Sequence, residues 1–173
     1  MTVFEFKSNL DKSNNDSLLV INYLKTKDYT IQDCSDNIDI QNKGIDFIIK
    51  NKKNNKISKI EFKSCNQIHK TNNIAYEIIS NLENKKLGTC ITSQADYVFY
   101  YDNVKHIVHC FNLKKLNVAI SKSNITKWNV AKANTKVKDG VFYCSISLLV
   151  PIEFLKKNKK EVEYYSFEIS MQG

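Results

Sequence analysis

The chain has no arginine, so its 26 basic residues are all lysines. Lysine is a compact point charge suited to phosphates, whereas bidentate reading of guanine favours the planar guanidinium of arginine. A nucleic-acid partner would therefore be recognised by backbone and shape more than by base edges. Proline occurs once and glycine four times. No Pro- or Gly-rich linker divides the sequence and no internal repeat is visible, which predicts one domain over residues 1–173. No apolar run reaches the roughly 18 residues that span a bilayer, and the first residues lack the basic and apolar regions of a signal peptide. A soluble cytoplasmic protein with no membrane partner is expected. The cysteines, Cys34, Cys65, Cys90, Cys110 and Cys144, are odd in number and contain no C-x-x-C pair. Neither a disulfide framework nor a zinc ribbon is indicated.

What is present supports a folded core and an anionic partner. An apolar fraction of 42% with 11% aromatics is that of a globular chain and not of a disordered one. The net charge of +8 suggests a polyanion, with nucleic acid ahead of an acidic membrane surface. An A/T-rich coding sequence also enriches Lys, Asn and Ile. That bias accounts for part of the excess and points to an A/T-rich bacterial, viral or mobile-element source.

The most informative stretch runs from Gly44 to Lys63. Two short apolar runs, Gly44 to Lys50 and Ile57 to Lys63, flank a polar turn from Asn51 to Lys56, the pattern of a β-hairpin. Alternation along the second strand puts Glu61 and Lys63 on one face and Ile60 and Phe62 on the other. Asp46 opens the first strand and so lies opposite the end of the second, within reach of Glu61. Two neighbouring carboxylates repel unless a cation lies between them, and a divalent ion with oxygen ligands fits that role. Lys63 could then orient or help deprotonate a water, or neutralise charge at phosphorus. The alternative reading of these residues is a solvated hairpin face with an ordinary ion pair.

Asp46, a spacer of fourteen residues, and Glu61-Phe62-Lys63 resemble the core motif of the PD-(D/E)XK nuclease superfamily. That superfamily includes restriction endonucleases and archaeal-type Holliday junction resolvases; its proline is replaced here by Ile45. The resemblance implies an α/β fold with a restriction endonuclease-like αβββαβ core, a mixed central sheet flanked by helices. The core would cover about residues 14–121, followed by a β-rich elaboration over 122–173. It implies an endonuclease dependent on Mg²⁺, or on Mn²⁺ in its place, that hydrolyses DNA and leaves a 5′ phosphate. Asp46 and Glu61 would bind the metal and Lys63 would position the water. Asp16, at the start of the first predicted helix, would join the metal site unless it only caps that helix. Glu77, in the second predicted helix, would assist catalysis unless it merely faces solvent. Action on branched DNA fits the small size and the missing arginine, and two-fold symmetric substrates would suit a homodimer. A non-catalytic nucleic-acid-binding subunit, an RNA endonuclease and a restriction-type nuclease remain as alternatives.

The rest of the chain supplies the order of elements. Val3 to Phe6 reads as a short strand, Asp16 or Ser17 to Lys27 as an amphipathic helix, and Tyr29 to Ile31 as a strand. Ser64 to Asn72 is polar and reads as a loop beside the site. Ile74, Ala75, Ile78, Ile79 and Leu82 stand at helical spacing and predict a second helix over 73–82. Ala95 to Tyr101 and Lys105 to Phe111 form a second hairpin around Asp102-Asn103. His106, His109 and Cys110 invite a metal reading, but 106 and 109 face opposite ways on a strand. Leu113 to Ser121 predicts a third helix. Beyond it lie a basic stretch with Lys127, Trp128, Lys132, Lys136 and Lys138, a strand from Val141 to Val150, a stop at Pro151 and a last strand over 162–169. Trp128 could stack on nucleic acid or pack inside. The expected nucleic-acid contacts are Lys70 and Asn73 beside the site and Lys52 and Lys53 on the hairpin turn.

Overall fold

A computed structural model of the chain describes residues 3–136 and 142–170, so Lys138 and Val141 lie outside the described residues. The elements follow in the order β1 (Val3–Glu5), α1 (Phe6–Lys25), β2 (Tyr29–Asp33), α2 (Ile38–Gln41), β3 (Phe47–Asn51), β4 (Ile57–Cys65), α3 (Ile68–Thr71), β5 (Asn73–Asn81) and β6 (Lys86–Leu87). They continue with α4 (Thr89–Thr92), β7 (Tyr97–Asp102), β8 (Ile107–Asn112), α5 (Leu113–Ser121), a 3-10 turn (Ile125–Lys127), β9 (Val130–Lys136), β10 (Phe142–Pro151), α6 (Ile152–Lys157) and β11 (Tyr165–Glu168).

The strands build two sheets. The main one has six strands in the order β11-β8-β7-β4-β3-β2 and is mixed, because β4 and β7 run parallel. The second has five, ordered β1-β9-β10-β5-β6, antiparallel except for the β1–β9 pair. Strand alternation gives the main sheet two buried faces. On one, Val20, Ile21 and Leu24 of α1 pack on Phe47, Ile60, Phe62, Phe99 and Tyr101. On the other, Val98, Tyr100 and Phe111 meet Leu116 and Ile120 of α5, with Ile74, Tyr76, Leu148 and Val150 from the second sheet. β4 is therefore covered on both faces, and of the charged pair it carries Glu61 is buried while Lys63 stays part-exposed.

Three expectations are corrected. The segment expected as a helix over 73–82 is instead the strand Asn73–Asn81: Ile74, Tyr76 and Ile78 alternate toward the core, and β10 pairs with it from Asn73 to Ile79. The β-branched and aromatic side chains suit the pleat, and the long-range partner decides between the two periods. The connection between parallel β4 and β7 thus passes through β5 and β6 of the second sheet, in place of the helix of the expected αβββαβ order. The first helix begins at Phe6, so Asp16 sits in its middle and caps nothing. Residues 64–72 hold the end of β4 and the single turn α3 as well as a loop. The C-terminal part is woven into both sheets, with β9 and β10 in the second and β11 at the edge of the main one. Trp128 packs edge-on against Phe154 at 4.8 Å, the packing role of its two readings. No helix among the described residues is long and apolar enough to cross a membrane.

Candidate metal and phosphate site

The hairpin between β3 and β4 forms because asparagines close its turn. Asn51 Oδ1 accepts from the N–H groups of Lys53 and Asn54 at 2.8 and 3.3 Å, and Asn55 takes the left-handed conformation, φ 57°. Phe47 pairs with Ile60, and one step further brings Asp46 opposite Glu61. There the strands part. The Asp46 N–H still donates to the Ile60 carbonyl at 2.8 Å, but its own carbonyl accepts from Cys34. Its Oδ2 takes over on the β4 side and accepts from the Phe62 N–H at 2.7 Å. The carboxylate of Asp46 is thus fixed in the split between two strands.

Glu61 is 5% exposed, and its Oε1 pairs with Lys63 Nζ at 2.7 Å. Burial alone pulls the Lys63 pKa down, but the charge and hydrogen bond of Glu61, with the charge of Glu77, outweigh it and hold the ammonium above the ordinary lysine range. Lys63 is a fixed cation, not a base. For Asp46, burial and then the charge of Glu61 raise the pKa from 3.8 to about 6, against the opposing Phe62 N–H and Lys63 charge. The single lysine does not cancel the repulsion between the carboxylates. Burial pushes the neighbouring Cys90 thiol up to about 11, so it stays protonated beside Lys63.

Glu77 of β5 is tied to the start of α4. Its Oε2 accepts from the Thr89 N–H at 3.1 Å, and its charge acts on Lys63. Sequence reasoning named the residue and gave it the wrong element. It missed the glycines that make room. Gly44, at φ 66°, lies so close that a methyl group there would stand 2.9 Å from Glu61 Oε2 and 2.7 Å from Ser93 Cβ. A methyl group on Gly88 would stand 2.3 Å from the Glu77 carbonyl oxygen. Their rarity was the available signal: two of four glycines flank this one site. Ser93 completes the wall, donating to the Gly44 carbonyl at 2.7 Å and accepting from the Ala95 N–H at 3.0 Å.

Other expected residues lie elsewhere. Asp16 accepts from Ser64 Oγ and from Asn103 Nδ2, the latter at 2.9 Å. Ser64 shares the α1 face with Phe62, so Asp16 stands on the side of β4 away from Glu61 and Lys63. Lys52 and Lys53 are exposed on the hairpin turn, about 20 Å along the strand from Asp46 at some 3.3 Å per residue, and Lys53 pairs with Asp28. They do not join the site. Lys70 is exposed on α3, just past the end of β4, while Asn73 is folded back on Thr71, its Nδ2 donating to that carbonyl at 2.6 Å. His106 and His109 bond to different tyrosines, Tyr101 and Tyr164, at 2.7 and 2.9 Å, so they do not converge.

The donor chemistry suits a hard cation. Glu61 Oε2 and Asp46 Oδ1 make no hydrogen bond among the described residues, and Mg²⁺ is commonly held by one or two carboxylates while keeping several waters. No group of three or more His, Cys, Asp or Glu side chains is arranged as a metal cage among the described residues. No family model, curated protein or solved structure matches this chain.

Proposed function

We propose that the protein is a Mg²⁺-dependent endonuclease of the PD-(D/E)XK type, with the restriction endonuclease-like core elaborated by the second sheet, and that it cleaves DNA. The observation that carries this reading is Asp46 placed opposite Glu61 in a strand split, with Lys63 bonded to the second carboxylate. Mg²⁺, or Mn²⁺ in its place, would be held by Asp46 and Glu61, and when bound would polarise a scissile phosphate and lower the pKa of water. The chain's own groups do the rest. Lys63 presents a permanent positive charge to a phosphate oxygen or donates to the attacking water, its Nζ held by Glu61 and its charge favoured by Glu77. Gly44 and Ser93 hold the wall against which Glu61 is packed. Lys70, exposed beyond the end of β4, would meet the phosphate backbone.

A binding module is the second reading, and one observation favours it: Glu61 is 5% exposed and already neutralised by Lys63 without a cation. Incubating the purified chain with linear, single-stranded and four-way-junction DNA separates the two. The nuclease reading expects cleavage in Mg²⁺ or Mn²⁺, none in chelator, and a Lys63→Ala variant that binds without cleaving. Binding with no metal-dependent cleavage on any substrate, RNA included, would select the module.

A further inference from the structure

Tyrosines gather at the hairpin-turn end of the main sheet, where none of the site residues lie. Tyr29 of β2, Tyr97 of β7 and Tyr165 of β11 line a cleft of about 120 Å³ with Lys56 and Asn54 of the turn. Tyr97 and Tyr165 also line a broader hollow of about 540 Å³, whose other wall carries Lys159, Lys160 and Glu163. The two hollows adjoin at these shared rings and are taken together as one groove. Tyr29 and Tyr97 pack against the α1-side core, so the smaller cleft lies on the face of β4 opposite Glu61, while Tyr164, in the lining of the larger hollow, belongs to the core on the other face. The smaller cleft is displaced from Glu61 by about 10 Å along the strand.

The rings are held as platforms. Tyr97 donates its hydroxyl to Glu163 Oε2 at 2.7 Å, and Phe99 meets Tyr165 edge-on at 6.4 Å, leaving Tyr165 41% exposed. Lys56 Nζ lies over the Tyr97 ring, 5.7 Å from its centre, in a cation-π contact that a stacking base would displace. Lys56, Lys159 and Lys160 are all exposed, and the lone carboxylate among the lining residues, Glu163, is already paired with Lys115 at 2.5 Å. Aromatic faces beside exposed lysines, of which Lys159 and Lys160 make no ion pair among the described residues, are what single-stranded nucleic acid requires, since each base offers a face to stack and each linkage a charge. A duplex keeps its base faces covered. We propose that this groove binds a single-stranded nucleic-acid segment, with bases on Tyr97 and Tyr165 and phosphates on Lys56, Lys159 and Lys160. The inference stands whether or not the carboxylate site is catalytic.

Fluorescence anisotropy of labelled (dT)12 with the full chain, in EDTA at low salt, tests it. Reversing charge with Lys159→Glu and Lys160→Glu together should raise Kd at least tenfold and lower the salt slope by about 1.4, at roughly 0.7 per lysine on single strands. Tyr165→Ala should raise Kd about fivefold or more, as the loss of one stacked base does, while Tyr165→Phe keeps wild-type affinity. Melting curves confirm that each variant is folded, and the exposed lysine pair carries the test if Tyr165→Ala is not. Unchanged affinity in the lysine variant, tighter binding of duplex than of (dT)12, or capture by anionic lipid vesicles but not by (dT)12 would each overturn the proposal.

Discussion

Replacing Asp46 by asparagine should stabilise the protein at neutral and alkaline pH. The neutral amide oxygen can still accept from the Phe62 N–H, as the carboxylate does at 2.7 Å, so the strand split keeps its bond. What disappears is a buried charge facing Glu61. The Asp46 pKa is raised from 3.8 to about 6, so folding favours the protonated form. Its stabilising contribution is full below about 3.8, is lost as pH rises through 6, and is absent above. At about 1.4 kcal/mol for each pH unit the difference is at most about 3 kcal/mol, and nearer 1–2 after discount for partial exposure. For a chain of this size that is a rise in Tm of some 2–8 °C. Thermal unfolding followed by circular dichroism, in EDTA at pH 8 and again at pH 4, measures it. The variant should melt higher at pH 8, with the gain gone at pH 4. A variant that melts lower at pH 8 would refute the reasoning, because it would mean that the Asp46 charge is a stabilising partner in an ion pair.

Three further substitutions probe the same region. Lys63→Ala leaves a Glu61 carboxylate that is 5% exposed without its cation and should cost about 2–4 kcal/mol in urea unfolding, where a loss below about 0.5 kcal/mol would show the pair to be a solvated surface contact. Gly88→Ala forces a methyl group to within 2.3 Å of the Glu77 carbonyl oxygen and should lower stability by about 2–3 kcal/mol, read from the urea midpoint; a neutral substitution would mean that β5 and α4 can move apart freely. Asp16→Ala removes the acceptor shared by Ser64 and Asn103 and should cost about 1–3 kcal/mol while leaving Mn²⁺ affinity as in the wild type, and a weakened affinity would return Asp16 to the proposed metal site.

The hairpin from 44 to 63 was legible because everything that forms it is local: two apolar runs, asparagines that close their own turn, and an alternation that keeps Glu61 and Lys63 together. The pairing of β7 with β8 and the span of α5 were legible for the same reason. Residues 73–82 were not. Their apolar positions satisfy both periods, and the deciding partner, β10, lies some seventy residues downstream. The start of α1 was hidden by its composition, since a Ser, Asn and Asp stretch reads as a loop from local preference alone. At the site, the three motif residues could be read from spacing and the wall around them could not. Gly44, Gly88, Thr89 and Ser93 matter through close approaches between segments distant in sequence.

The central claim is that Asp46 and Glu61 together hold one divalent cation. Titration of the chain with Mn²⁺, counting free ion by electron paramagnetic resonance at pH 7.5, addresses it without recourse to any substrate. The account predicts one site per chain, weakened at least tenfold by Asp46→Asn and likewise by Glu61→Gln. Binding of the same number and strength in both variants, or no binding by the wild type at millimolar ion, would contradict it.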